Sequence, residues 1–255
     1  MPLSYHLTEL RRRLLRSLLA LMVCTVCAWV YRVSILALVL RPYETAWRAS
    51  GLPGVPELQT LSPADVFVGY LQLSMVAGMV ASVPFLFYEL WAFLNPGLYN
   101  REKRLLVPFV LSSSLLFLGG VAFAYFVAFP FTFGYFFSLL GQVSDTGTFL
   151  TQRPTLQAYL DFSTRMLLAF GGVFELPLLI AFLVLAGLVT PRQLLRFGRW
   201  AILLSFFVGA VVTPGPEVSS QLAVSSALVA LYFLSIGLAY VLKPIRSERI
   251  PSNTM

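Results

Sequence analysis

The chain has 255 residues, of which 58% are hydrophobic and only 11% charged, and its mean hydropathy is +0.81. A soluble domain carries about 25% charged residues, so this composition excludes a soluble globular enzyme, a disordered chain and a coiled coil, and leaves a polytopic membrane protein. The net charge of +7 would suit a nucleic-acid partner in a soluble protein. Here the basic residues fall in short clusters between apolar runs, the arrangement of membrane loops, and no nucleic-acid role is expected.

A hydrocarbon core about 30 Å thick takes about 20 apolar helical residues. The chain opens with an amphipathic segment, residues 1–16, in which Leu3, Leu7, Leu10 and Leu14 share a helical face. It looks like the start of an export signal, but no small-residue cleavage site follows and five further apolar runs do, so it is expected to be retained. The first span is predicted over 17–40, interrupted once by Arg32. Its Cys24 and Cys27 form a C-x-x-C with no polar neighbour to stabilise a thiolate, and they read as small buried hydrophobes. The second span is predicted over 66–94.

The third apolar run, Leu105–Ser144, has forty residues without a charge. That is about 60 Å of helix, twice the bilayer core. The span is placed over 105–130, with a break expected at Pro130. A fourth span is predicted over 160–189. The fifth, 197–212, gives only about 24 Å and is short for the core. A tight break, Thr213-Pro214-Gly215-Pro216-Glu217, separates it from the sixth, 218–242. These spans make one integral membrane domain, residues 1–255. Small residues recur at helical spacing at Ser74, Gly78 and Ser82, and again at Gly120, Ala124 and Ala128, and are expected where helices approach closely.

Sides follow from the basic residues. One side holds Arg11, Arg12, Arg13 and Arg16 in the N-terminal tail, and Arg101, Lys103 and Arg104 in the second connection. To these it adds Arg192, Arg196 and Arg199 in the fourth connection and Lys243, Arg246 and Arg249 in the C-terminal tail. The opposite connections hold only Arg41, Arg48 and Arg153. This asymmetry places both termini in the cytoplasm.

No catalytic set is legible. The single histidine, His6, lies in a terminal tail, so neither a histidine zinc site nor an intramembrane serine–histidine pair is possible, and no phosphate-binding glycine loop occurs. The chain is read as a receptor, channel or scaffold rather than an enzyme, with no cofactor. The few acids are therefore informative. Glu9 and Glu102 stand among basic residues on the cytoplasmic side. Glu9 has a local explanation in an i,i+4 pair with Arg13. Glu102 has one in the first turn of a helix capped by Asn100. Together they could also bind the guanidinium groups of a peptide. Glu89 sits at a membrane boundary, where it is expected to snorkel and is given no function. Glu175 lies near mid-span, where a carboxylate is costly and needs a partner or a wet cavity. Thr213, Glu217 and Gln221 cluster at the outer hairpin, where polar residues serve turns.

In order along the chain, several motifs resemble those of the TatC family, the six-span membrane subunit of the twin-arginine protein translocase. His6-Leu7-Thr8-Glu9-Leu10-Arg11-Arg12-Arg13-Leu14 comes first, followed by Tyr88-Glu89-Leu90-Trp91-Ala92-Phe93. Pro96-Gly97-Leu98-Tyr99 and Glu102-Lys103-Arg104 follow, and then Phe123-Ala124-Tyr125-Phe126. Phe174-Glu175-Leu176-Pro177, Thr213-Pro214 and Ser220-Gln221 complete the set, which covers essentially the whole chain. The resemblance implies an all-α, concave, glove-like arrangement of six transmembrane helices with both termini inside. It implies a receptor in the cytoplasmic (inner) membrane that binds twin-arginine signal peptides of folded cargo. It also implies assembly with the single-span partners TatA and TatB, self-association, contact with membrane lipids and transport driven by the proton-motive force. By position, Glu9 and Glu102 would contact the signal arginines, with Arg11, Leu98 and Arg104 nearby. Glu175, Thr213 and Gln221 would meet a partner's helix. Two departures stand out: Glu89 where the family usually has Gln, and Glu217 in an outer hairpin with an apparent extra residue. The rival reading is a proton-coupled small-solute transporter with Glu175 as relay, which the lack of an internal repeat disfavours.

Overall fold

The structure, a computed structural model, describes residues 3–52, 54–94, 106–142, 149–150, 153–185, 187–212 and 218–247. The fold is all-α apart from a two-residue antiparallel ladder, Gly141–Gln142 with Phe149–Leu150. The helices are α1 (Leu3–Val30), α2 (Arg32–Ala49), α3 (Pro63–Leu94), α4 (Leu106–Phe123) and α5 (Phe129–Ser138), with a π-helical turn, Ala124–Ala128, joining the last two. They continue with α6 (Leu156–Val173), α7 (Leu176–Leu185), α8 (Pro191–Val212) and α9 (Val218–Ser247). Among the described residues, four rods are long and apolar enough to cross a membrane: Leu7–Val30, Pro63–Phe93, Val107–Ser138 and Leu156–Val184.

Three predicted span limits differ from the helices. The run 17–40 is divided: α1 is one continuous helix from Leu3 to Val30, and α2 begins at Arg32 after Tyr31. There the Arg32 guanidinium bonds the Trp29 carbonyl and lies 5.2 Å over the Trp29 ring and 5.7 Å over Tyr70. Beyond it α2 buries Val39, Pro42, Tyr43, Ala46 and Trp47 inside the protein, chiefly against α5, while Val33 and Leu38 stay on its outer face. Hydropathy does not distinguish that burial from exposure to lipid.

The run from 105 does not stop at Pro130. Pro130 has no N–H to offer the preceding turn, and the helix absorbs the loss as the π-helical turn 124–128 before continuing as α5. The resulting rod, residues 106–138, is about 50 Å long, well beyond a bilayer core. Its excess length is packed rather than solvated. Phe133 and Phe137 of α5 meet Tyr43 and Trp47 of α2 and Tyr159 of α6 in edge-to-face and stacked pairs. Tyr159 donates to the Val39 carbonyl at 2.6 Å and Tyr125 to the Leu38 carbonyl at 2.8 Å, pinning α2 down.

The fifth rod is longer than its apolar stretch. α8 starts at Pro191, where Thr190 and Gln193 form a reciprocal capping box with proline at the first helical position, and it reaches about 33 Å. The turn before it is closed by Gly187 at φ 78°, with the Leu188 N–H bonding back to the Leu183 carbonyl at 3.0 Å.

The small-residue stripes lie where helices meet. A Cβ on Gly78 would come within 2.6 Å of the Thr25 Cα, so α1 and α3 touch backbone to backbone there. Gly120 faces the Phe170 carbonyl of α6. A second apolar cluster, centred on Ile180, Val184, Leu194, Ala201, Tyr232 and Ile236, joins α7, α8 and α9.

Candidate functional site

Two places gather polar side chains against apolar helices. The first lies where the N-terminal end of α1 meets the C-terminal end of α3. Glu9 accepts from Arg13 Nη2 at 2.7 Å and from Arg13 Nε at 3.1 Å. The same guanidinium reaches across to Glu89, with Arg13 Nη1 3.2 Å from Glu89 Oε2, and Arg16 Nη1 stands 3.7 Å from Glu89 Oε1. The local pairing of Glu9 with Arg13 is therefore present, and it is one arm of a larger bridge.

Glu89 corrects the sequence reading. Its side chain is 4% exposed and does not snorkel into solvent. A carboxylate on the inner face of α3 is tolerable because two arginines of α1 neutralise it. The signal was available: 13 and 16 lie on the helical face of Glu9, and an acid ends the apolar run of α3. What the sequence could not supply was the antiparallel register of α1 on α3, which the Gly78–Thr25 contact sets. Arg11 is exposed and lies outside this bridge. Leu98, Glu102 and Arg104, expected beside Glu9, lie outside the described residues.

The second place is Glu175. It sits in a two-residue interruption between α6 and α7, because Pro177 cannot continue the hydrogen-bond ladder of α6. Its own carbonyl accepts from Leu178 and Leu179 at 3.1 and 2.9 Å, which starts α7. Its carboxyl group faces the Ser113 hydroxyl and the Phe117 backbone of α4. The Ser113 oxygen also accepts from the Trp91 indole N–H at 2.8 Å. The second carboxyl oxygen, Oε1, is buried with no hydrogen-bond partner among the described residues. Of the two glycines one turn before Glu175, Gly172 has open space, whereas Gly171 is covered by the Phe117 ring.

Gln221 on α9 donates to the Phe206 carbonyl of α8 at 3.0 Å, bracing those two helices. Thr213 and Glu217 lie outside the described residues. A polar cluster that sequence reading missed joins α3 to α6: Gln72 donates to Asp161 and Thr164, both at 2.9 Å, and Gln157 donates to Gln72 at 2.8 Å. An acid one turn inside an apolar helix was the available signal. No group of three or more histidine, cysteine or acidic residues able to hold a metal occurs among the described residues.

The family model for the Sec-independent protein translocase protein TatC matches residues 5–226. The chain belongs to the TatC family. A TatC protein of Desulforapulum autotrophicum is 38% identical over 238 residues, covering 92% of this chain and 83% of its own length. That of Helicobacter pylori is 36% identical over 242 residues, covering 95% and 88%. That of Escherichia coli is 34% identical over 238 residues, covering 92% and 86%. A crystal structure described as the twin arginine translocase receptor TatC superposes with a TM-score of 0.77 at 31% identity, covering 92% of this chain and 98% of that one. A second, in the detergent DDM, gives 0.79 at 32%, covering 92% and 99%. The chain is accordingly a multi-pass membrane component of the Sec-independent, twin-arginine protein translocase, a transport component rather than an enzyme.

Proposed function

We propose that this chain is the receptor subunit of the translocase, binding the paired arginines of signal peptides at the end of α1. The observation that carries this reading is the bridged Arg13 guanidinium, held at once by Glu9 and Glu89. Two carboxylates spaced to clasp one guanidinium supply the charge-assisted bonds that arginine recognition uses. Glu9 and Glu102 accept the incoming arginines, Leu98 and Arg104 border the site, and Arg11 contributes nearby. The name of the crystallised relative, a twin arginine translocase receptor, supports the same reading.

The chain lies in the inner membrane with six spans and both termini in the cytoplasm, as its basic asymmetry favours. Glu175, with Gln221 and Thr213, meets the transmembrane helix of TatA- or TatB-type partners; the helix break at Glu175 and the open space beside Gly172 are where such a helix would approach. The chain self-associates in a larger complex, needs no cofactor, and works with the proton-motive force. Family membership favours this over the solute transporter.

The test is photocrosslinking of a twin-arginine signal peptide to the full chain in membranes. Charge reversal of Glu9 and Glu102 to lysine is expected to abolish the crosslink while the protein still inserts. Undiminished crosslinking in the double reversal would refute the assignment.

A further inference from the structure

The first turns of α1 present a second surface, which shares only Arg16 with the ion bridge. Together with Phe85 of α3 they wall a groove of about 780 Å³. Arg11, Arg12 and Arg16 line one end of it, and Leu19 and Val23 line the other with Phe85. Leu19 and Val23 are exposed, as is Phe85. Among the described residues, no ion pair engages Arg11 or Arg12. The groove therefore joins three guanidinium groups to a continuous apolar wall.

We propose that this groove holds one anionic phospholipid, its phosphate between Arg11, Arg12 and Arg16 and an acyl chain along Leu19 and Val23. The dimensions fit. From Arg12 to Cys24, the last of α1's lining residues, α1 rises about 18 Å. One leaflet of an about 30 Å hydrocarbon core is about 15 Å deep, so a headgroup at Arg12 brings its chain end near Cys24. The charge also selects the occupant. Arg11 borders the proposed peptide site, but the paired arginines of a signal peptide have no acid to meet inside this groove, whereas an anionic headgroup gains from Arg11 and Arg12 and in part from Arg16, which also faces Glu89. A zwitterionic lipid fills the same apolar wall but carries its own ammonium beside the phosphate, so it gains less. The inference goes beyond the receptor reading and does not depend on it, because it needs only α1 packed on Phe85 of α3 in a bilayer.

The experiment is native mass spectrometry of the full chain in neutral detergent, incubated with phosphatidylglycerol and phosphatidylcholine of identical acyl chains. The wild type is expected to retain phosphatidylglycerol in preference. At about 1 kcal/mol per arginine near a headgroup, Arg12→Gln lowers its affinity about fivefold and that of phosphatidylcholine by less. Val23→Trp fills the apolar end and lowers retention with all three arginines in place. Arg196→Gln, an exposed arginine on α8, has no effect. Equal retention of the two lipids by the wild type would overturn the proposal, as would unchanged retention in Arg12→Gln and Val23→Trp. An equal loss in Arg196→Gln would assign the preference to diffuse charge and overturn it too. A photocrosslinker at position 23 that captures a twin-arginine peptide and no lipid would give the groove to the peptide instead.

Discussion

The rods α1 and α6–α7 are both apolar and both long enough to span a bilayer, yet they sit in the molecule in opposite ways. Only 6% of the most apolar stretch of α1 is buried inside the protein, against 44% for α6–α7. α1 leans chiefly on α3, through a glycine contact and the ion bridge at its end. α6 instead lies within the aromatic core, with Tyr159, Leu160, Met166 and Phe170 buried, and its continuation α7 joins the second cluster. An apolar rod thus serves two ends: one is solvated by lipid, the other largely by protein. The polar groups divide along the same line. On α1 charges are paired or gathered at one end, whereas the α6–α7 rod carries its acid at a break, facing inward.

The comparison is sharpened most by truncating a large apolar side chain in each of the two environments. Phe133→Ala, in the core that receives α6, is expected to cost about 3–5 kcal/mol, against less than about 0.5 kcal/mol for Leu19→Ala on the outer face of α1. Thermal unfolding in detergent measures both, and equal losses would erase the distinction. A smaller effect is expected from crowding. Gly120→Ala drives a Cβ into the Phe170 backbone and costs about 1–3 kcal/mol, whereas Gly119→Ala, with open space beside it, does not lower the unfolding midpoint.

Arg13→Gln comes next. It leaves Glu89 buried with Arg16 as its remaining ion-pair partner, at a cost of about 1–2 kcal/mol because Arg13 is itself part-exposed. The added substitution Glu89→Gln removes the stranded charge and is expected to recover part of the loss in a double-mutant cycle; a purely additive cycle would show that the bridge does not hold α1. The smallest effect on stability is expected at Glu175. Interhelical hydrogen bonds in lipid average about 0.6 kcal/mol, so Glu175→Ala barely moves the unfolding midpoint. It is expected to reduce crosslinks to TatA- or TatB-type helices along α6–α7, with Glu175→Gln nearer wild type. A large midpoint drop with crosslinks intact would return Glu175 to a purely internal role.

Composition and spacing by themselves determined the class of the protein, the approximate sites of its apolar rods and the few acids worth asking about. Those properties are local: a charge-free run must leave water, and a proline must interrupt a ladder wherever it stands. The resemblance to the TatC family was likewise legible in ordered motifs. Tertiary structure alone decided what each apolar residue faces. It separated α2 from the first span, because the Val39–Trp47 face is covered by α5 rather than by lipid. It turned the Pro130 break into a π-helical turn, because α2 and α6 hold α5 in line with α4. It moved Glu89 from a snorkelling side chain to a buried partner of two arginines. And it joined Gln72 to Asp161 across 89 positions of chain. Each depends on which helices touch and in what register, and hydrophobicity, having no direction, specifies neither.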